Sequence, residues 1–233
     1  MTAADALSRH SLWRAVPSYE QEQLLAASRL RTPARGERLW SEGEPATELS
    51  FVARGRVKLV RPTGGGRDAI VHLVDAGQAL CTAAACAGRR YCCNGVALED
   101  CEVVSTEREV VLDIVARQPA AALELVRLLA DRVLEACSRV DELAGGKAEQ
   151  RIAKLLLRLA QRAGIDGAGS GLWVPVPLSR QDVADLCGTT LETAIRVLSR
   201  LRKRALVRTT PRGFFVLDRP ALEAAVRGAE PAR

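Results

Sequence analysis

Residues 178–204 read LSRQDVADLCGTTLETAIRVLSRLRKR, and this stretch decides the fold. Ser179 caps a helix, with Asp182 three residues on, close to a capping box. The helix runs to Leu186. Gly188 makes a turn, and Thr189 or Thr190 caps a second helix with Glu192 in its first turn. Ala194, Val197, Leu198 and Leu201 carry that helix to about Arg204. Two short apolar stretches, 206–209 and 214–217, flank Pro211-Arg212-Gly213 and read as a hairpin. Helix, glycine turn, helix and hairpin together make a winged helix-turn-helix pattern. The N-terminus of the second helix is the end that enters a major groove. It presents Thr190, Leu191, Glu192, Ile195 and Arg196. A glutamate accepts from cytosine N4, and an arginine reaches guanine O6 and N7. Arg200, Arg202, Lys203, Arg204, Arg208 and Arg212 are within reach of phosphates. Taken singly, Glu192 also suits the helix dipole, and the arginines also suit a solvated face.

The charge distribution favours double-stranded DNA as the partner. The chain has 233 residues and a net charge of +6. Residues 147–233 hold 16 Lys/Arg against 8 Asp/Glu, a net +8, and residues 1–146 carry net −2. A basic end on a mildly acidic body is the footprint of a polyanion reader. Charged residues at 27% and apolar residues at 48% exclude wholesale disorder. No apolar run is long enough to span a bilayer, and the N-terminus lacks a secretion signal, so a cytoplasmic protein with no membrane partner is expected. There is no P-loop, dinucleotide fingerprint or Ser/His/Asp set. With two histidines in all, a thiol-redox activity is the one enzyme reading left, and the chain has no C-x-x-C.

Upstream, the pattern changes twice. Residues 5–29 read as one or two short helices. From Leu30, short apolar stretches recur every 8–12 residues, at 38–40, 49–52, 57–60, 69–74, 96–97, 103–105 and 110–114. Glycine turns separate them, among them Gly64-Gly65-Gly66. Such spacing predicts an antiparallel sandwich, roll or barrel. After Pro119 the strand signal stops. Val126, Ala130, Val133, Cys137, Val140 and Ala144 follow a 4-3-4-3-4 spacing, which suits an amphipathic helix lying on its own domain and, more fully, the seam of a parallel coiled coil. This predicts a homodimer, with Leu125, Leu128, Leu129 and Leu134 packed instead on the strand domain. Gly145-Gly146 ends the helix and provides a hinge. A further helix covers 147–163, residues 164–171 form a loop, and a last helix begins at Pro220 and frays into the C-terminal tail. The fold class is therefore α+β in three parts. Residues 1–116 form a β-roll sensor, 117–146 a dimerisation helix and hinge, and 147–233 the winged helix-turn-helix.

The chain resembles the Crp/Fnr (cyclic-AMP receptor/fumarate-nitrate regulator) superfamily from end to end. The resemblance rests on Gly36…Trp40-Ser41-Glu42-Gly43-Glu44-Pro45-Ala46, on Phe51-Val52…Gly55-Arg56-Val57-Lys58-Leu59 and on Ala97-Leu98-Glu99-Asp100-Cys101-Glu102-Val103. In the C-terminal part it rests on Leu178-Ser179-Arg180-Gln181-Asp182-Val183-Ala184 and Leu191-Glu192-Thr193-Ala194-Ile195-Arg196. It implies a cyclic nucleotide-binding-like roll and a symmetric dimer reading a palindromic operator, with RNA polymerase as a further partner. It also implies that Glu192 and Arg196 read a G·C pair and that Arg180 touches phosphate. Leu191 and Ile195 depart from the arginine and serine of the two main branches, so neither branch's half-site carries over.

The effector cassette departs further. Members that bind cyclic nucleotides carry Gly-Glu-Leu and then Arg-Ser/Thr. At the corresponding places stand Thr82 and Tyr91-Cys92, so both anchors are gone unless Arg89 or Arg90 substitutes. Five of the seven cysteines lie between Cys81 and Cys101. Cys81, Cys86, Cys92 and Cys93 put four thiols within thirteen residues, a soft donor set suited to an iron–sulfur cluster or another thiolate-bound metal. Reversible disulfide formation is the second option. Haem ranks behind them, since Ala83 stands where gas-sensing members place a histidine, and His72 reads as a strand residue. Small buried packing residues are the plainest alternative. Arg89 and Arg90 are expected to favour thiolate by lowering the thiol pKa values. Cys101, Cys137 and Cys187 read as core. A chemical event at the four thiols is expected to repack the roll against residues 130–137 and to turn the DNA modules about Gly145-Gly146.

Overall fold

The computed structural model describes residues 2–63, 68–167 and 171–227. The Gly64-Gly65-Gly66 turn, part of the 164–171 loop and the C-terminal tail lie outside the described residues. The chain divides into two compact units, Met1–Glu135 and Ala136–Arg233.

The first unit opens with three short helices, α1 (Ala3–Leu7), α2 (Ser11–Arg14) and α3 (Ser18–Ala26). Strands follow: β1 (Ser28–Arg31), β2 (Arg38–Trp40), β3 (Glu48–Arg54), β4 (Val57–Pro62), β5 (Asp68–Val74) and β6 (Ala79–Leu80). A five-residue helix, α4 (Thr82–Cys86), interrupts them before β7 (Asn94–Ala97) and β8 (Glu102–Glu107). The strands form two antiparallel four-stranded sheets, β1-β8-β3-β6 and β2-β7-β4-β5. The roll predicted from the spacing is therefore present. Its apolar core joins Val52, Leu59, Val74 and Val103 of the strands to Ile114 and Leu125 of the following helices.

The stretch 110–114, expected as a strand, lies in helix α5 (Arg108–Arg117). Its two buried residues, Val111 and Ile114, are three apart, which is the helical period; the run of branched side chains hid it. Helix α6 (Pro119–Ala144) follows, and the boundary between the units falls within it. Leu125 is buried and Leu128 and Leu129 are half-buried, but Leu134 is 65% exposed, against expectation. Nine residues beyond Leu125, the helix has left the roll's apolar core, which among the described residues includes none after Leu129.

The second unit contains α7 (Ala148–Ala163), β9 (Ile165–Asp166), β10 (Leu172–Val174), α8 (Arg180–Leu186), α9 (Leu191–Lys203), β11 (Val207–Thr210), β12 (Gly213–Val216) and α10 (Arg219–Val226). Its sheet has the order β11-β12-β10-β9. Ile152, Leu155, Leu156 and Leu159 of α7 and Val197, Leu198 and Leu201 of α9 are buried on their inner faces.

Candidate nucleic-acid interface and effector cassette

The helix-turn-helix is built as its sequence dictates. Ser179 accepts from the Asp182 amide at 3.0 Å, and the Asp182 carboxylate accepts from the Ser179 amide at 2.9 Å, closing a full capping box on α8. Gly188 adopts φ +56, where a side chain is strained, and an added Cβ would lie 3.4 Å from Leu143 Cδ2. Thr190 then caps α9 by accepting from the Thr193 amide at 3.2 Å. The Arg-rich end of α9 lies at its C-terminus, where cations suit the dipole.

A buried arginine and a half-buried one fix the turn from behind. Arg139 of α6 donates to the Leu186 carbonyl at 2.8 Å, and Arg151 of α7 donates to the Cys187 carbonyl at 2.9 Å. These carbonyls end α8 and have no partner inside it. Glu142 pairs with Arg139 at 2.6 Å and lies 3.4 Å from Arg158, and the carboxylate is almost fully buried between them. Sequence reading missed these supports. The one available signal was the i,i+3 spacing of Arg139 and Glu142.

The predicted base-facing residues share one exposed surface of α9. Thr190, Glu192, Ile195 and Arg196 are exposed, and Leu191 is half-exposed. Ile195, at 45%, is an apolar side chain left out of a well-packed unit. Arg180 is exposed and donates to the Thr209 hydroxyl of the hairpin at 3.1 Å. Arg200 is tied to Glu149 at 2.5 Å, and Arg204 shares that carboxylate at 3.2 Å. Arg208 lies over the Phe215 ring at 4.3 Å, and Phe215 packs on Trp173.

The seam of α6 faces solvent in this chain. Val126, Val133 and Val140 are 60%, 62% and 66% exposed, and Ala130 and Cys137 are exposed with them. Cys137 is thus not a core residue, because the described residues of its own chain leave the seam uncovered. Cys101 and Cys187 are buried as expected. The Cys101 thiol donates to the Arg56 and Glu99 carbonyls, each at 2.9 Å.

In the effector cassette the four thiols do not gather into one site. Cys81 and Cys93 lie 3.7 Å apart, sulfur to sulfur. Cys92 is exposed, and Cys86 is half-buried on α4. Among the described residues, no three His, Cys, Asp or Glu side chains converge as metal ligands do. A thiolate metal centre needs three or four donors, so this arrangement does not fit one. For Cys86, Cys92 and Cys93 the expected lowering of the thiol pKa values is also reversed. Burial raises those of Cys86 and Cys92, and Cys93 is raised by its hydrogen bond to Cys81 and then by burial. Arg90 does not compensate, because its guanidinium donates to the Gly43 carbonyl at 2.6 Å. His72 is buried, hydrogen-bonded to Arg132 and 3.4 Å from Glu135. Its ring nitrogen is already engaged, which argues against a haem ligand. Thr82 is buried and Tyr91 stacks on Trp40 at 4.7 Å, so neither supplies the charge that a cyclic phosphate or ribose needs.

Comparison with known proteins decides the family. The family model for a cyclic nucleotide-binding domain matches residues 30–118, and the model for a Crp-like helix-turn-helix domain matches residues 150–225. The chain belongs to the Crp/Fnr family. It is 29% identical to the cyclic AMP receptor protein of Thermus thermophilus over 91% of this chain and 94% of that protein. It is also 29% identical to the nitrogen fixation regulation protein FixK of Azorhizobium caulinodans, over 86% of this chain and 80% of that one. A solved transcriptional regulator of the CRP family from Thermus thermophilus superposes with a TM-score of 0.73 at 27% identity, covering 87% of this chain and all of that one. FixK2 of Bradyrhizobium japonicum, at 23% identity and a TM-score of 0.75, shows the same fold over 88% of this chain and 99% of its own. This Crp/Fnr protein is accordingly a DNA-binding transcription regulator, in keeping with the regulation protein of Azorhizobium caulinodans and the solved transcriptional regulator of Thermus thermophilus. Among the described residues, no helix is long and apolar enough to cross a membrane.

Proposed function

We propose that this Crp/Fnr protein works in the cytoplasm as a homodimer that reads a palindromic operator, and that the thiols of its roll set its operator affinity. Residues 1–116 act as the sensor, 117–146 as dimerisation helix and hinge, and 147–233 as the DNA reader. The observation that carries the reading is the exposed surface of α9, with Glu192, Ile195 and Arg196 on it and the helix-turn-helix packed behind. Glu192 and Arg196 discriminate a G·C pair, and Thr190, Leu191 and Ile195 contact base edges beside it. Arg180 and the hairpin arginines engage phosphates. Arg200 joins them when DNA competes with Glu149 for its guanidinium. The solvent-facing stripe of Val126, Ala130, Val133, Cys137 and Val140 supports the dimer, because such a stripe is rarely left uncovered. Thiol chemistry without a metal is the sensor reading the site supports best, since the Cys81 and Cys93 sulfurs lie 3.7 Å apart and no group of three metal ligands assembles among the described residues.

The test is operator selection from random duplex DNA, followed by affinity measurements on single-base variants. Glu192→Ala is expected to cost about 1–3 kcal/mol on the preferred operator and to relax discrimination at one base pair in each half-site. A uniform loss across all variants refutes the base-reading role.

A further inference from the structure

Resting on the thiol-sensor reading above, we infer that Cys81 and Cys93 form a reversible intrachain disulfide, and that a hydroperoxide is the oxidant that closes it.

The pair is placed for this by the roll. Cys81 directly follows β6, which is held to β3 through Ser50 opposite Leu80. Cys93 directly precedes β7, which is held to β4 through Val60 opposite Asn94. The Cys93 carbonyl also accepts from the Trp40 indole at 2.9 Å. Both cysteines thus border pinned strands, and their sulfurs meet at 3.7 Å. A disulfide needs about 2.0 Å, so the two sulfurs must approach by less than ~2 Å. Side-chain rotation together with a small movement of Cys81 supplies that. Cys81 is the residue free to move, since it occupies the left-handed region at φ 46, a costly conformation for a side-chain-bearing residue. The other thiols are less suited. Cys86 packs from α4 against the core beside Arg108, and Cys92, though exposed and hydrogen-bonded to Cys93, is its neighbour in sequence, and a disulfide between adjacent residues is strained.

The exposures divide the chemistry between the two residues. Cys81 is half-buried and within reach of a small solute, whereas Cys93 is 2% exposed. The Cys81 thiolate attacks the terminal oxygen of a hydroperoxide. The O–O bond breaks, an alcohol (or water, from hydrogen peroxide) leaves, and Cys81 becomes a sulfenic acid. The Cys93 sulfur then attacks the Cys81 sulfur. The S–O bond breaks, and water departs with the Cys93 proton. Two thiols and one hydroperoxide give one disulfide, one alcohol and one water. Each sulfur loses one electron, and the peroxide oxygens take up both. A dithiol reverses the bond by exchange.

Closure has a route to the long helix inside the first unit. Cys81, Ala84, Ala85 and Cys86 pack in the same core as Leu125 and Leu129 of α6. Drawing Cys81 toward Cys93 shifts the start of α4 within that core.

The experiment uses the full chain, reduced and then exposed to increasing hydrogen peroxide, quenched with N-ethylmaleimide and mapped by peptide mass. The expected result is loss of two of the seven alkylatable thiols, a linked Cys81–Cys93 peptide, and recovery with dithiothreitol. Cys81→Ser and Cys93→Ala are expected to abolish the link, and Cys86→Ser and Cys92→Ser to keep it. Absence of the link in the unmodified chain, or a dominant link through Cys86 or Cys92, overturns the inference without any variant needing to fold. In parallel, affinity for the selected operator is measured before and after oxidation, with a change of at least about tenfold expected. If the link forms and affinity stays constant, the disulfide stands and the sensor reading fails. If affinity responds without the link, the pair is wrong and the sensor reading stands.

Discussion

Glu142→Gln tests whether the helix-turn-helix depends on a buried charge cluster. The Glu142 side chain is 9% exposed, between Arg139 at 10% and Arg158 at 25%. Burial lowers the Arg158 pKa, and the Glu142 charge is the largest of the effects that oppose the shift. Among the described residues, two buried guanidinium nitrogens, Nε of Arg139 and Nε of Arg158, already lack a hydrogen-bond partner. The substituted glutamine amide keeps the shape and one acceptor but removes the negative charge that pairs with both arginines. Breaking a buried pair costs roughly 3–5 kcal/mol, because the remaining charge is uncompensated. The partial exposure of Arg158 puts the expected value near the low end, about 3 kcal/mol. For a unit of roughly 100 residues that is a fall in midpoint of roughly 12–24 °C. The assay is thermal and urea unfolding followed by tryptophan fluorescence, with Asp141→Asn on the exposed side of the same helix turn as control. The control is expected within about 0.5 kcal/mol of the parent. If Glu142→Gln also falls within about 1 kcal/mol, the cluster is not desolvated as described. The support of the Leu186 carbonyl by Arg139 would then not depend on it.

Three further outcomes follow from other sites. Burial depresses the His10 pKa from 6.5 to about 4, and its Nδ1 accepts from the Leu12 amide at 3.3 Å. The unfolded chain therefore takes up a proton below pH 6.5 that the folded chain refuses until about pH 4. The stabilisation is whole above about pH 6.5 and falls by up to about 3 kcal/mol as pH drops to about 4. Urea unfolding from about pH 7 to about pH 4.5 should show this slope, and His10→Asn, which retains a capping oxygen, should remove it; an unchanged slope in the variant refutes the assignment. Val133→Glu places a charge in the α6 seam and should convert a dimer to a monomer by light scattering, while a persistent dimer locates the interface elsewhere. Ala205 holds φ +53 just after α9, where glycine is favoured. Ala205→Gly should raise the stability of the second unit by about 1 kcal/mol, and a loss in chemical denaturation would contradict the strain.

Much of the architecture was legible because local rules and tertiary packing agree. The box at Ser179 and Asp182, the turn at Gly188 and the cap at Thr190 are short-range devices, and they appear in place. The seam of α6 was legible for the same reason, since spacing alone puts its residues on one face. Residues 110–114 were misread because four branched apolar residues in five suit a strand as well as a helix. Burial of Val111 with Ile114 settles that only once the sheets are assembled. The four-thiol group was read from proximity along the chain, which differs from proximity in space. Cys81 and Cys93, twelve residues apart, meet between the ends of two strands, whereas Cys86 stays apart on α4.

From the sequence alone came the order of the parts, the placement of positive charge on the DNA-reading end, and the residues that α9 presents near its start. These depend on spacing, capping and composition, which act over a few residues or sum over the whole chain. Only the tertiary structure decided which thiols touch, which way their pKa values move, and which arginines brace the turn. Each of these depends on desolvation and on distances between segments far apart in the chain. The arginines at 89 and 90 show the difference. Cysteines stand within three residues of them in sequence, but the fold turns Arg90 to the Gly43 carbonyl, and burial raises the Cys86 and Cys92 thiols.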